Sequence, residues 1–78
     1  MTQLTADHEL DCRNTFCPMP VIRLRQMMDK IESGAVVKIL ATDPASVTDM
    51  PAFARNTDNE LLSSEKSDGV FVYYFRKR

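Results

Sequence analysis

Apolar and polar residues alternate along His8-Glu9-Leu10-Asp11-Cys12, a period of two that predicts a short strand with Leu10 and Cys12 facing inward. The period then changes. Val21, Leu24, Met28 and Ile31 recur at spacings of three and four, which predicts a helix from Pro18 or Met19 to Ser33 with one buried stripe. Prolines are tolerated in its first turn, where N–H groups have no intrahelical partner. Gly34 is the expected left-handed stop. Between strand and helix, Arg13-Asn14-Thr15-Phe16 reads as a loop, with Asn14 the best candidate for positive φ.

The β-branched run Val36 to Thr42 predicts a second strand, with Val37, Ile39 and Ala41 on the core face. Two starts compete for the next helix. Asp43 before Pro44 reads as an N-cap with proline at the first helical position. Ser46 with Asp49 is a shortened capping box, and Pro51 favours this later start, or a kink, because it would interrupt a helix begun at Pro44. Val47, Met50, Phe53 and Ala54 form its apolar stripe, and it should end between Asn56 and Asn59. Glu60 to Ser67 and Val70 to Phe75 are strands joined by Asp68-Gly69, a strong hairpin signal.

The order is βαβαββ. Right-handed crossovers place both helices on one face of a mixed four-stranded sheet, a two-layer α/β (α+β) sandwich. Val36, Lys38, Leu40, Val72 and Tyr74 are expected on the opposite face. Residues 1–7 read as a flexible lead-in and residues 8–78 as a single domain.

Composition narrows the function. A chain of 78 residues with a 44% hydrophobic content supports one small core. Its net charge of -1 does not suggest a nucleic-acid-binding surface, and the terminal Arg76-Lys77-Arg78 run reads as solvated charge. No apolar stretch approaches the roughly 20 residues of a membrane span. The first residues lack signal-peptide character, so a cytoplasmic location with reduced thiols is expected. Two cysteines and one histidine make neither a disulfide framework nor a zinc site. His8 reads as a bystander.

The chemistry concentrates at Cys17-Pro18-Met19-Pro20. A cysteine just before a helix can meet the positive end of the helix dipole, which favours its thiolate. One helix end falls short of full ionisation, so Arg13 or Arg23 is expected to add electrostatic support. Pro18 and Pro20 stiffen the platform but cannot donate, leaving the N–H groups of Cys17, Met19 and Val21 near the sulfur. No histidine stands at a helical offset to act as a base, and only two glycines occur, too few for a phosphate loop. Such a thiol suits carrying a group better than turning over a substrate. Cys12 reads as core packing, with a Cys12–Cys17 disulfide as the alternative.

With these residues in place, the chain resembles the TusA/SirA-like family of small sulfur-carrier proteins. The resemblance runs from Glu9 to Lys77. It rests on Leu10-Asp11, the Cys-Pro-x-Pro motif at Cys17, Thr42-Asp43-Pro44-Ala45-Ser46 with Asp49-Met50-Pro51, Asn59-Glu60-Leu61, and the Asp68-Gly69 hairpin ending in Arg76-Lys77. It implies the same βαβαββ sandwich and sulfur carried as a covalent persulfide on Cys17, with no other cofactor or metal. It also implies a cysteine desulfurase or rhodanese-like donor and a DsrE-, TusD- or TusE-like thiol acceptor. The pathway served would be 2-thiouridine formation in tRNA or sulfur oxidation, with no direct nucleic-acid contact and a monomeric carrier acting with partner enzymes. Asp11, Asp43 and Asp49 match family positions and are expected to cap and order loops near Cys17. Asn14 stands where the family commonly has glycine. Phe16 and Met19 make the motif more apolar than in many relatives, and Cys12 lies outside it. Two other functions remain open from sequence: a thiol–disulfide module using Cys12 and Cys17, and a non-catalytic regulatory domain binding through the open sheet face and the Arg76-Lys77-Arg78 end.

Overall fold

The structure is a computed structural model and describes residues 5–78. Its elements run β1 (His8–Cys12), α1 (Met19–Met28), β2 (Val36–Ala41), α2 (Ser46–Thr57), β3 (Glu60–Ser67) and β4 (Val70–Arg76). This is the βαβαββ order that the hydrophobic periods predict. The strands form one mixed sheet in the order β1-β2-β4-β3. β1 pairs parallel to β2, and β4 lies antiparallel between β2 and β3. Strands β1, β2 and β3 therefore point the same way, and both helices begin beyond the C-terminal ends of the strands that precede them.

One core lies between the helices and the inward sheet face. Leu10 and Cys12 of β1, Val37, Ile39 and Ala41 of β2, and Tyr73 and Phe75 of β4 meet Leu24 and Met28 of α1 and Met50 and Phe53 of α2. The Phe53 and Phe75 rings meet edge to face at 5.7 Å, the arrangement favoured by the ring quadrupole. Asp68 and Gly69 close the β3–β4 hairpin with φ of 52° and 79°. Two successive left-handed residues match the twist of the flanking strands. Val36, Lys38, Leu40, Val72 and Tyr74 are half-buried on the far face of the sheet.

Three local expectations are corrected. Helix α1 ends at Met28, not Ser33, and Gly34 (φ 88°) serves a later turn. The Lys77 ammonium donates to the Met28 carbonyl, the acceptor that continuation of the helix would have needed. Helix α2 starts at Ser46 with Ala45 as N-cap, so neither Asp43 nor Ser46 is the N-cap. Ser46 is buried instead, and its hydroxyl shares a 2.8 Å hydrogen bond with the Tyr73 hydroxyl. Pro51 lies inside α2, where it leaves the Val47 carbonyl without a helical partner. Val47 is 55% exposed rather than part of the buried stripe. Of the expected lead-in, residues 1–4 lie outside the described residues, whereas Asp7 exchanges hydrogen bonds with Val36.

Candidate functional site

The loops after β1 and β2 meet at one edge of the sheet, and Cys17 stands exposed between them. Asn14 makes the first tie. Its left-handed backbone, φ 65°, turns the β1–α1 loop so that its N–H donates to the Thr42 hydroxyl at 2.9 Å. Asp43 makes the second. Its Oδ2 accepts the Cys17 N–H at 2.6 Å and its Oδ1 accepts the Ala45 N–H at 3.1 Å. The buried Asp43 carboxylate thus fixes the cysteine and the approach to α2 together. Thr15 closes the loop from within by donating its N–H and hydroxyl to the Cys12 carbonyl.

Pro18 is the N-cap of α1, which leaves Cys17 one residue outside the helix, and the Cys17–Pro18 peptide is cis. Pro20 is buried in the first turn. The donors expected around the sulfur are partly used. The Cys17 N–H points to Asp43, and the Met19 N–H donates to the Phe16 carbonyl at 2.8 Å.

Both expected cations are engaged elsewhere. Arg13 makes a two-toothed ion pair with the Asp11 carboxylate, Nε and one terminal nitrogen at 2.9 and 2.8 Å. Arg23 donates to the Asp11 backbone carbonyl at 3.2 Å. Asp11 therefore organises the end of β1, and Arg13 holds its carboxyl down at about 2. At Cys17 the electrostatics run opposite to the helix-dipole expectation. The thiol is pushed up chiefly by the Asp49 carboxylate, then by partial desolvation and by the charge of Asp43. Two carboxylates thus oppose the thiolate that a helix N-terminus favours.

Cys17 opens onto a groove of about 230 Å³ between the helices. Pro18, Val21 and Arg25 line it from the α1 side, and Asp49, Ala52 and Asn56 from α2, with Phe53 shared. Arg25 is the cation that sequence reading passed over. The signal was there: Pro18, Val21 and Arg25 stand at spacings of three and four, as do Asp49, Ala52 and Asn56 on α2. Phe16, Met19 and Ile22 expose large apolar surface on the loop and first turns around the motif. Such a rim can exclude water when a protein surface covers it.

Cys12 and Cys17 are both free thiols. Cys12 has 0% exposure, as its packing role predicts, and burial raises its thiol pKa. Among the described residues, no cluster of histidine, cysteine and carboxylates could hold a metal, and no helix is long and apolar enough to cross a membrane.

A family model described as Sulfurtransferase TusA matches residues 8–77. The Sulfur carrier protein TusA of Allochromatium vinosum is 41% identical over 71 residues, 91% of this chain and 93% of that protein. The protein of the same name from Pseudomonas syringae is 39% identical over 75 residues, 96% of this chain and 89% of its own. Among solved structures, a SirA-like protein from Desulfitobacterium hafniense aligns with a TM-score of 0.78 at 25% identity, covering 88% of this chain and 95% of that one.

Proposed function

Because this chain belongs to the TusA sulfur-carrier family, we propose that Cys17 accepts sulfane sulfur as a persulfide and passes it to a thiol on a partner protein. The observation that carries this reading is the exposed Cys17 thiol, tied to two loops at the sheet edge and bordered by apolar surface. In loading, the Cys17 thiolate attacks the outer sulfur of a donor persulfide. A new S–S bond forms on Cys17, the donor's S–S bond breaks, and the donor leaves as a thiolate. In unloading, an acceptor thiolate attacks the outer sulfur and Cys17 is the leaving group. Sulfane sulfur changes owner without net oxidation or reduction, so the protein needs no cofactor of its own.

The partners are a cysteine desulfurase or rhodanese-like donor and a DsrE-, TusD- or TusE-like thiol acceptor, in the cytoplasm. The sulfur is destined for 2-thiouridine in tRNA or for sulfur oxidation. Cys12 argues against the thiol–disulfide alternative, since a second redox cysteine needs access that a fully buried thiol lacks.

Intact-mass spectrometry after incubation with a cysteine desulfurase and cysteine tests the reading. The expected result is a reductant-sensitive gain of about 32 Da on Cys17, one sulfur atom. It should vanish in Cys17→Ser and persist in Cys12→Ala. No gain on the unaltered protein, or the same gain on Cys17→Ser, overturns the proposal. An oxidative loss of about 2 Da that requires Cys12 would favour the redox module instead.

A further inference from the structure

The groove at Cys17 holds an acidic group, Asp49, and a cationic one, Arg25. Asp49, in the first turn of α2, lines the same groove as the thiol, and Asp43 holds the Cys17 N–H from the β2–α2 loop. From the β1 end, Asp11, Arg13 and Arg23 are occupied with one another. Arg25 lines the same groove as Cys17 and Asp49, and no carboxylate of the described residues lies within ion-pair range of it. The arrangement is unusual for a nucleophile, because a carboxylate beside a thiol opposes the thiolate it must form. A carrier has a use for that opposition. Between partners its thiol is exposed to every disulfide and electrophile in solution.

We propose that Asp49 is a charge gate on Cys17. It keeps the unpartnered thiol slow toward neutral and anionic sulfur reagents, and a partner that brings a cationic side chain beside its own reactive sulfur releases it. The partner this edge fits presents a lysine, arginine or protonated histidine next to its sulfur, within an apolar collar that meets Phe16, Met19 and Ile22. The partner's cation pairs with Asp49, and the thiol proton passes to solvent as Cys17 attacks. Asp49 is a positioning residue that acts through the field at Cys17 and takes no part in the bonds made and broken. The inference rests on the carrier reading, but its test requires no sulfur donor.

The test measures Cys17 modification on the full chain with probes of different charge. In each reaction with a symmetrical disulfide, the Cys17 thiolate forms one S–S bond, the probe's S–S bond breaks, and one probe thiolate leaves. The probes are cystamine (cationic), hydroxyethyl disulfide (neutral) and dithiodiglycolate (anionic), with iodoacetamide as a neutral alkylating agent. Expected for the unaltered protein is a rate order of cystamine, then neutral, then anionic. Asp49→Asn should raise the iodoacetamide rate at pH 7.4 roughly threefold to tenfold and shrink the cystamine-to-dithiodiglycolate rate ratio at least about threefold. Asp49→Glu should keep the charge preference, and Glu32→Gln, beside His8 at the opposite end of β1, should leave every rate unchanged. Arg25→Gln should move the ratio toward cystamine. Superimposable pH–rate profiles for the unaltered protein and Asp49→Asn, or a cystamine-to-dithiodiglycolate ratio indifferent to position 49, overturn the gate. If Cys17 loads persulfide normally while these rates ignore Asp49, the gate alone is wrong. If the rates respond but no persulfide forms, the carrier reading fails and only the charge effect of Asp49 on the thiol stands.

Discussion

Replacing Asp43 with alanine should loosen the whole cysteine edge. Its two carboxylate oxygens take two backbone N–H groups, from Cys17 at 2.6 Å and Ala45 at 3.1 Å, and the residue is 9% exposed. Hydrogen bonds to a charged acceptor contribute about 1.5–3 kcal/mol each when one partner is removed. The two share a side chain and are not additive, so a total of roughly 2–5 kcal/mol is expected. For a domain of this size about 1 kcal/mol lowers Tm by roughly 4–8 °C. A loss of about 3 kcal/mol therefore means a fall of roughly 12–24 °C. Asp43→Asn separates acceptor from shape. The amide keeps one oxygen but turns an NH2 toward a donor, so it should lose about half as much. Urea unfolding followed by circular dichroism measures both, and an unchanged m-value would show that stability rather than compactness had moved. Amide exchange at Cys17 and Ala45 should accelerate in step. If Asp43→Ala unfolds within about 0.5 kcal/mol of the parent, Asp43 does not hold the two loops and the account of how the thiol is fixed is wrong.

Two further outcomes test the frame. Leu24→Ala removes a side chain with 0% exposure from the centre of the core, and should cost about 2–5 kcal/mol in the same denaturation assay; a cost below about 1 kcal/mol would contradict the packing described. Asp11 should titrate by NMR near its lowered value of about 2, and return toward the ordinary 3.8 in Arg13→Ala. Because the folded value is depressed, the Asp11–Arg13 contribution is fully present above about 3.8 and lost as pH falls through about 2. With both side chains about half exposed that contribution is small. A midpoint near 3.8 in the unaltered protein would remove the ion pair from the account.

Much of the fold was written in local patterns. Alternation set the inward residues of β1, β2 and β4, because a pleated strand sends successive side chains to opposite faces. Asp68-Gly69 named its hairpin because few residue pairs accept two left-handed conformations. Position 14 was legible for the same reason, asparagine being one of the few side chains that tolerates positive φ. Cys17 could be nominated from its prolines and its place before a helix. Its surroundings could not. Arg13 and Arg23 looked available in sequence and are held by Asp11, whereas Arg25, two helical turns into α1, reaches the thiol's groove.

Sequence alone determined the order of elements and the buried faces of the strands and nominated Cys17, an exposed free thiol, since each depends on neighbours a few residues apart. Tertiary structure decided where α1 stops, through a lysine from the far end of the chain, and which carboxylates surround the sulfur, through a helix that packs beside it from thirty residues on. Those outcomes depend on charges and hydrogen-bond partners that meet only after the sheet has assembled. Proximity in space, which no period along the chain encodes, brings Asp43 and Asp49 to the site of Cys17.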